Sequence, residues 1–270
     1  MAKSKPSSKL LVAATRQPAS RSRTTVSAGK SPELIKSKAE VMAWLTANAD
    51  ERGIAHWNKR SSNLKSFGIG LTRLRNFAKQ LGRNQALAKS LCHSEFYDAK
   101  VVGLLIDDPK QMTPEQAEQQ INDGLGEGML VHVFATCGAP LAKTRFAFDL
   151  ARQWMDDEDP LRQQCGYGLL YELSKKNPTG MDDAFLLDRI RRIQETIHQQ
   201  PMWVREAMNS ALMGIGKRNK KLNAAAIRAA KAIGPVEIDY GDDNSCEPLD
   251  VLKHLTSDYI KQKLGSYPLR

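Results

Sequence analysis

Apolar residues recur at intervals of three and four along most of this chain, and no segment shows a strong alternation of apolar with polar residues. Ala147, Leu150, Ala151 and Trp154 mark one helical face, and Val204, Met208, Ala211 and Ile215 mark another. A period of 3.6 without a period of two directs the apolar side chains onto helix stripes and not onto a sheet. An all-α fold is therefore expected, and βαβ units are not.

The helix boundaries carry their own signals. Ser31-Pro32-Glu33 supplies an N-cap, a first-position proline and a first-turn acid for a helix over 34–45. Thr113-Pro114-Glu115-Gln116 repeats that logic and has the glutamine a capping box requires. Asn223 is placed to cap an alanine-rich helix over 224–233, which Gly234 ends. A break over 180–183, an acidic, turn-rich loop over 237–247 and a last helix over 249–264 complete the reading. The carboxylate order of that loop does not match a calcium-binding hand, so it reads as a solvated loop.

Two helix openings, Asp159-Pro160 and Gln200-Pro201, place their prolines 41 residues apart, and Asp107-Asp108-Pro109 marks a less regular third turn. That interval belongs to HEAT and armadillo units, whose helix pairs bury their apolar faces by stacking on neighbours. A helical solenoid is expected, with an unrelated compact helical fold as the alternative.

Composition bears on what such a scaffold could hold. The chain has 270 residues, 41% of them hydrophobic and 26% charged, which excludes a predominantly disordered polymer. Its formal net charge is +10, but nine basic residues against the single acid Glu33 lie in residues 1–38, leaving 31 basic and 29 acidic residues beyond. Residues 1–30 hold no acid and read as a disordered basic tail, with a nucleic-acid arm or a targeting segment as its functional readings. Residues 31–270 read as a single helical-repeat domain. No apolar run reaches the length of a membrane span, so no membrane partner is expected. Cys92, Cys137, Cys165 and Cys246 form no CxxC pair, which argues against a thiolate zinc site. Cys137 and Cys165 read as buried free thiols in a reducing cytoplasm.

Three stretches carry a family resemblance: Phe67-Gly68-Ile69 through Leu74-Arg75 and Ala78-Lys79; Leu104-Leu105-Ile106-Asp107-Asp108-Pro109; and Ile215-Gly216-Lys217-Arg218-Asn219 with Leu222. In order and spacing, from about residue 53 to residue 231, they resemble the DNA alkylation repair family of HEAT-like alkylpurine DNA glycosylases. The resemblance implies a curved superhelical stack of antiparallel HEAT-like repeats with a basic concave face for duplex DNA. It implies no metal and no organic cofactor. It also implies a catalytic carboxylate beside the developing cation of the released base.

The residues that should carry that chemistry depart from the pattern. Matched through Gln119, Phe134 and Ala139-Pro140-Leu141-Ala142, the family's Trp-Asp falls on Gly126-Glu127 and its catalytic Asp on Leu130. A phosphate-anchoring arginine falls on Gln164 and a tryptophan on Ser210. Arg162 lies two residues from Gln164, a rotation of about 200° along a helix, so it does not share that face. Leucine can neither ionise nor accept a proton. Glu127 is a weak catalytic candidate, and His132 has no recognisable nucleophile motif beside it and reads as a packed or hydrogen-bonding histidine.

The expected activity is backbone binding of duplex DNA by a repair homologue without base excision. Arg73, Arg75, Arg205, Lys217 and Arg218 are the contacts, with Lys79, Lys220 and Lys221 nearby. Trp203 reads as packing between repeats or stacking on nucleic acid. Two alternatives stand beside this reading: a glycosylase using a rearranged Glu127 or His132, and a scaffold for a protein partner. The protein is expected to be a cytoplasmic monomer.

Overall fold

The computed structural model describes residues 37–60, 62–126, 128–176, 178–239 and 247–265. The basic start over 1–36, Glu127 and most of the acidic loop lie outside them. Among the described residues there is no β-strand beyond one isolated bridge, Lys65 to Phe96. The helices are α1 (Lys38–Ala47), α2 (Glu51–Trp57), α3 (Leu71–Leu81), α4 (Gln85–Cys92), α5 (Tyr97–Ile106), α6 (Pro114–Gly124) and α7 (Gly128–Ala135). They continue with α8 (Ala147–Met155), α9 (Pro160–Ser174), α10 (Asp183–Thr196), α11 (Met202–Gly216), α12 (Lys220–Ile233), α13 (Val251–Leu255) and α14 (Asp258–Lys263).

Packing arranges them as a curved HEAT-like stack. Helices α3, α5, α7, α9, α11 and α13 form one row in which each touches the next, while α4, α8, α10 and α12 pack against members of that row. Both predicted faces are inside: Ala147, Leu150, Ala151 and Trp154 of α8, and Val204, Met208, Ala211 and Ile215 of α11, are buried. The two helices opened by the spaced prolines, α9 and α11, are neighbours in the row. Glycine permits close approach on both sides of α9. A Cβ on Gly168 would lie 2.7 Å from the Ala135 methyl of α7, and one on Gly214 would lie 2.5 Å from Ser174 Oγ at the end of α9. Trp154, fully buried, donates from Nε1 to Glu118 Oε1 at 2.6 Å and joins α8 to α6. No described helix is long and apolar enough to cross a membrane.

Several boundaries differ from expectation. The first helix cannot run unbroken over 34–45, because Ser37 is extended and caps α1 by accepting from Glu40 N at 3.2 Å. Thr113 does cap α6, but Gln116 is drawn away from the capping box: its amide donates to Asp107 Oδ2 at 3.0 Å. Asn219, not Asn223, caps α12, and Asn223 donates from inside that helix to Gly216 O at 2.9 Å. The last helix is broken in two at Ser257, which is extended.

The stretch over 67–69 owes its shape to a buried acid. Asp98 of α5 has no exposed surface and accepts from Ser66 Oγ at 2.8 Å, Phe67 N at 2.7 Å and Ile69 N at 3.0 Å. Gly68 takes φ +69°, with Gly53 packed directly on its backbone. One carboxylate therefore satisfies three donors that would otherwise be stranded. Asp98→Ala is expected to lower the unfolding free energy by about 3 kcal/mol, whereas Thr113→Ala costs about 1 kcal/mol as a simple cap loss. Urea titrations of both variants check this; equal losses would show that the loop needs no such anchor.

Candidate nucleic-acid interface

The row of helices brings its carboxyl ends to a common edge. The ends of α3, α5 and α7 meet around a cavity of about 300 Å³ lined by Arg75, Lys79, Arg83, Leu105, Cys137, Gly138 and Lys143. The ends of α9 and α11 meet around a second, of about 600 Å³, whose cations are Lys175, Lys176, Lys217, Arg218 and Lys263. Lys176 donates to Ala142 O at 3.1 Å, beside Lys143, so the two cavities adjoin.

Helix carboxyl ends attract cations, and several of these side chains meet that need directly. Arg83 donates to Leu105 O at 2.6 Å, Arg218 to Ser174 O at 3.3 Å and Lys263 to Lys217 O at 3.1 Å. The cations nevertheless crowd one another. Burial, then Arg83 and Lys176, hold the Lys143 ammonium below the ordinary lysine range, with Glu172 opposing. Burial, then Lys263 and Lys175, do the same to Lys217. The acids nearby have other duties: Glu172 pairs with Lys175 at 2.8 Å, Asp182 caps α10, and Asp183 accepts from Asn219 at 2.9 Å. An anion arriving here would relieve repulsion already present in the folded chain.

The five predicted contacts divide. Arg75, Lys217 and Arg218 lie on this edge. Arg73 instead donates to Asn48 Oδ1 at 3.0 Å, at the end of α1. Arg205 sits in the first turn of α11, about 18 Å along the helix from Lys217. The sequence reading does not include Arg83, Lys143, Lys175, Lys176 or Lys263. Their common signal is position at or just beyond a helix carboxyl end, or on the segment packed against one.

Two of the positions matched to the glycosylase site, Leu130 and Gln164, are filled by packing. Leu130 has no exposed surface, so it does not face a cleft, and Gln164 is 2% exposed. The Gln164 amide donates to Gly128 O at 2.7 Å, and the Trp203 ring occupies the space a side chain on Gly128 would need. Ser210 is half-buried and Gly126 exposed. Arg162 is held at 2.8–3.0 Å by Glu118, Asp159 and Asn122. Among the described residues no cluster of His, Cys, Asp and Glu could hold a metal ion.

Two expectations need correction. Cys165 is buried, but Cys137 is half-exposed and lines the smaller cavity. His132 is a packed histidine facing Glu206, as expected, but the sequence reading missed that the Cys137 thiol, five residues on, interacts with it electrostatically. The sequence conceals this pair because the chain leaves the helical path between the two residues.

Residues 38–240 match the family model described as DNA alkylation repair enzyme. The uncharacterized protein Lin0241 of Listeria innocua is 26% identical over 195 residues, covering 72% of this chain and 83% of the relative. The uncharacterized protein Lmo0209 of Listeria monocytogenes is 24% identical with the same coverage. A solved structure superposes with a TM-score of 0.72 at 25% identity, covering 85% of this chain and 97% of the other. It is described as a new family of proteins related to the HEAT-like repeat DNA glycosylases with affinity for branched DNA structures.

Restoring a carboxylate at the matched position should fail for a physical reason. Leu130→Asp puts an ionisable group at a fully buried position of the hydrophobic core and is expected to cost about 3 kcal/mol or more, with no gain of base release. Denaturant unfolding and a release assay on alkylated duplex check this; a stable, active variant would show that the position opens to a cleft.

Proposed function

The chain belongs to the DNA alkylation repair enzyme family, and we propose that it binds DNA through the phosphate backbone without the base-excision chemistry. The mutual crowding of cations along the helix carboxyl ends carries this reading, because it leaves an electrostatic demand that phosphates satisfy without any base being read. Arg75, Lys79, Arg83 and Lys143 would hold one stretch of backbone, and Lys175, Lys176, Lys217 and Arg218 the next. Residues 1–30 would add sequence-independent affinity as a separate basic arm. Arg73 and Arg205 would contribute little.

The absence of a carboxylate at Leu130, together with the apolar filling around it, supports the loss of base excision. The affinity of the structural relative for branched DNA supports testing junctions as well as duplexes. The scaffold alternative draws less support. Among the described residues Tyr259 is the one large hydrophobic side chain that is exposed, which leaves little for a peptide groove to be lined with.

Binding of the full chain to duplex and four-way-junction DNA should weaken steeply with salt. Lys143→Ala and Lys217→Ala should each lower affinity severalfold on both DNAs and reduce the salt slope by about one. Arg205→Ala should leave both unchanged. Fluorescence anisotropy across a salt series checks this, with a chain lacking residues 1–36 in parallel. Binding that vanished with that segment, or that ignored Lys143 and Lys217, would overturn the basic edge as the DNA surface. Base release abolished by Glu127→Gln would instead establish a rearranged glycosylase.

A further inference from the structure

Cys137 stands two residues beyond the end of α7 with φ +55°, the only non-glycine residue of positive φ among the described residues. Thr136 fixes the turn that puts it there, donating from N and Oγ1 to His132 O at 2.9 and 2.6 Å. The Thr136 hydroxyl also lies 3.4 Å from Cys137 Sγ. The His132 imidazole lies with Nδ1 3.5 Å from Glu206 Oε2 of α11, and its charge bears on Cys137. On its other side Cys137 opens to the 300 Å³ cavity of Arg75, Lys79, Arg83 and Lys143. Thiol, imidazole and carboxylate are thus gathered between α7, the turn after it and α11, and the thiol lines a cavity that four cations share.

The electrostatics act in one direction. Burial pushes the Cys137 thiol up, but the His132 hydrogen bond and charge, the Thr136 hydroxyl and Arg75 outweigh it and bring the group below the ordinary thiol range. Burial favours a neutral His132, but Cys137 and Glu206 outweigh it and hold the ring protonated. The other described thiols differ: burial, and then Asp107, pushes Cys92 to about 12, and burial also pushes the fully buried Cys165 well above the ordinary thiol range. Only the thiolate attacks, so among the described thiols Cys137 is the one prepared to react.

We propose that Cys137 is a covalent modification site, a nucleophilic thiolate that forms mixed disulfides with anionic low-molecular-weight disulfides held in the cavity of Arg75, Lys79, Arg83 and Lys143. The Cys137 thiolate attacks one sulfur of the small disulfide, a new sulfur–sulfur bond forms and the old one breaks. Cys137 is thereby oxidised, and the departing sulfur leaves as a thiolate that takes its proton from solvent. No further oxidant is needed. The cavity selects by charge: the carboxylates of the small disulfide meet the four cations, and a cationic disulfide is repelled. His132 and Glu206 are positioning residues that keep the sulfur ionised.

The test uses the full chain in a Cys246→Ser background, with glutathione disulfide as the anionic probe and cystamine as the cationic one, read by peptide mass mapping. Cys137 is expected to form its adduct at least about tenfold faster than Cys92, and faster with glutathione disulfide than with cystamine. His132→Gln should slow the reaction and move the inflection of its pH–rate profile upward toward an ordinary thiol. Lys79→Glu should narrow or invert the preference between the two probes while the circular dichroism spectrum stays unchanged. A Cys137 no faster than Cys92, a preference for cystamine, or a pH profile unmoved by His132→Gln in a folded variant would each overturn the proposal. None of these readouts involves DNA, so they are independent of the DNA-binding reading.

Discussion

The carboxyl ends of α3, α5, α7, α9 and α11 come together on one edge, and much of the surface chemistry follows from that. Each helix end carries a partial negative charge and carbonyls without intrahelical partners. Aligned neighbours add these demands instead of cancelling them. Arg83, Lys176, Arg218 and Lys263 answer by donating to carbonyls at or beside those ends. Lys143 and Lys217 then enter a neighbourhood already positive, and burial first, with those neighbouring cations second, holds their ammonium groups below the usual lysine range. A structural need for cations and the anion-binding surface proposed for this edge would be two consequences of one packing choice.

That choice rests on small residues as much as on charge. Gly168 and Gly214 let α9 approach α7 and α11 at distances where a methyl group would collide. Moving α9 outward by the width of a side chain would draw Lys175 and Lys176 away from Lys143 and Lys217, and the single edge would become two weaker patches. The IGKRN stretch belongs to the same mechanics. Gly216 packs against Leu255 and Ala226, Asn219 caps α12, and Lys217 and Arg218 are delivered to the edge by the turn between them.

The contrast between what the sequence discloses and what it hides follows the range of the interactions. Thr113 and Asp159 announce helix starts because a cap depends on residues two or three apart, Pro201 because its ring cannot continue a preceding helix, and the α8 and α11 faces follow from a period of three to four. Asn219 and Asn223 are equally good caps by composition; the choice between them depends on Asp183 and Leu255, distant in sequence, which hold their side chains. The edge itself is assembled from Arg75, Arg83, Lys143, Lys176 and Lys217, whose proximity exists only once the row has stacked. Net charge gives no hint of it, since residues 39–270 carry 31 basic and 29 acidic side chains. Segregation of charge in space, not its excess, makes the surface basic.

The same separation of ranges explains how a repair scaffold could keep one function and lose another. Base excision needs a carboxylate held open to solvent and substrate, a costly group in a helical core. In this chain Leu130 is buried with the other apolar residues of α7, and Gln164 spends its amide on Gly128 O. Both changes favour folding locally, without disturbing the stack. The phosphate edge cannot be removed so cheaply, because its cations also serve the helix ends. Deleting them would strand carbonyl groups. On the function proposed for this chain, a lineage relaxing both functions would therefore shed the carboxylate first and retain the basic edge.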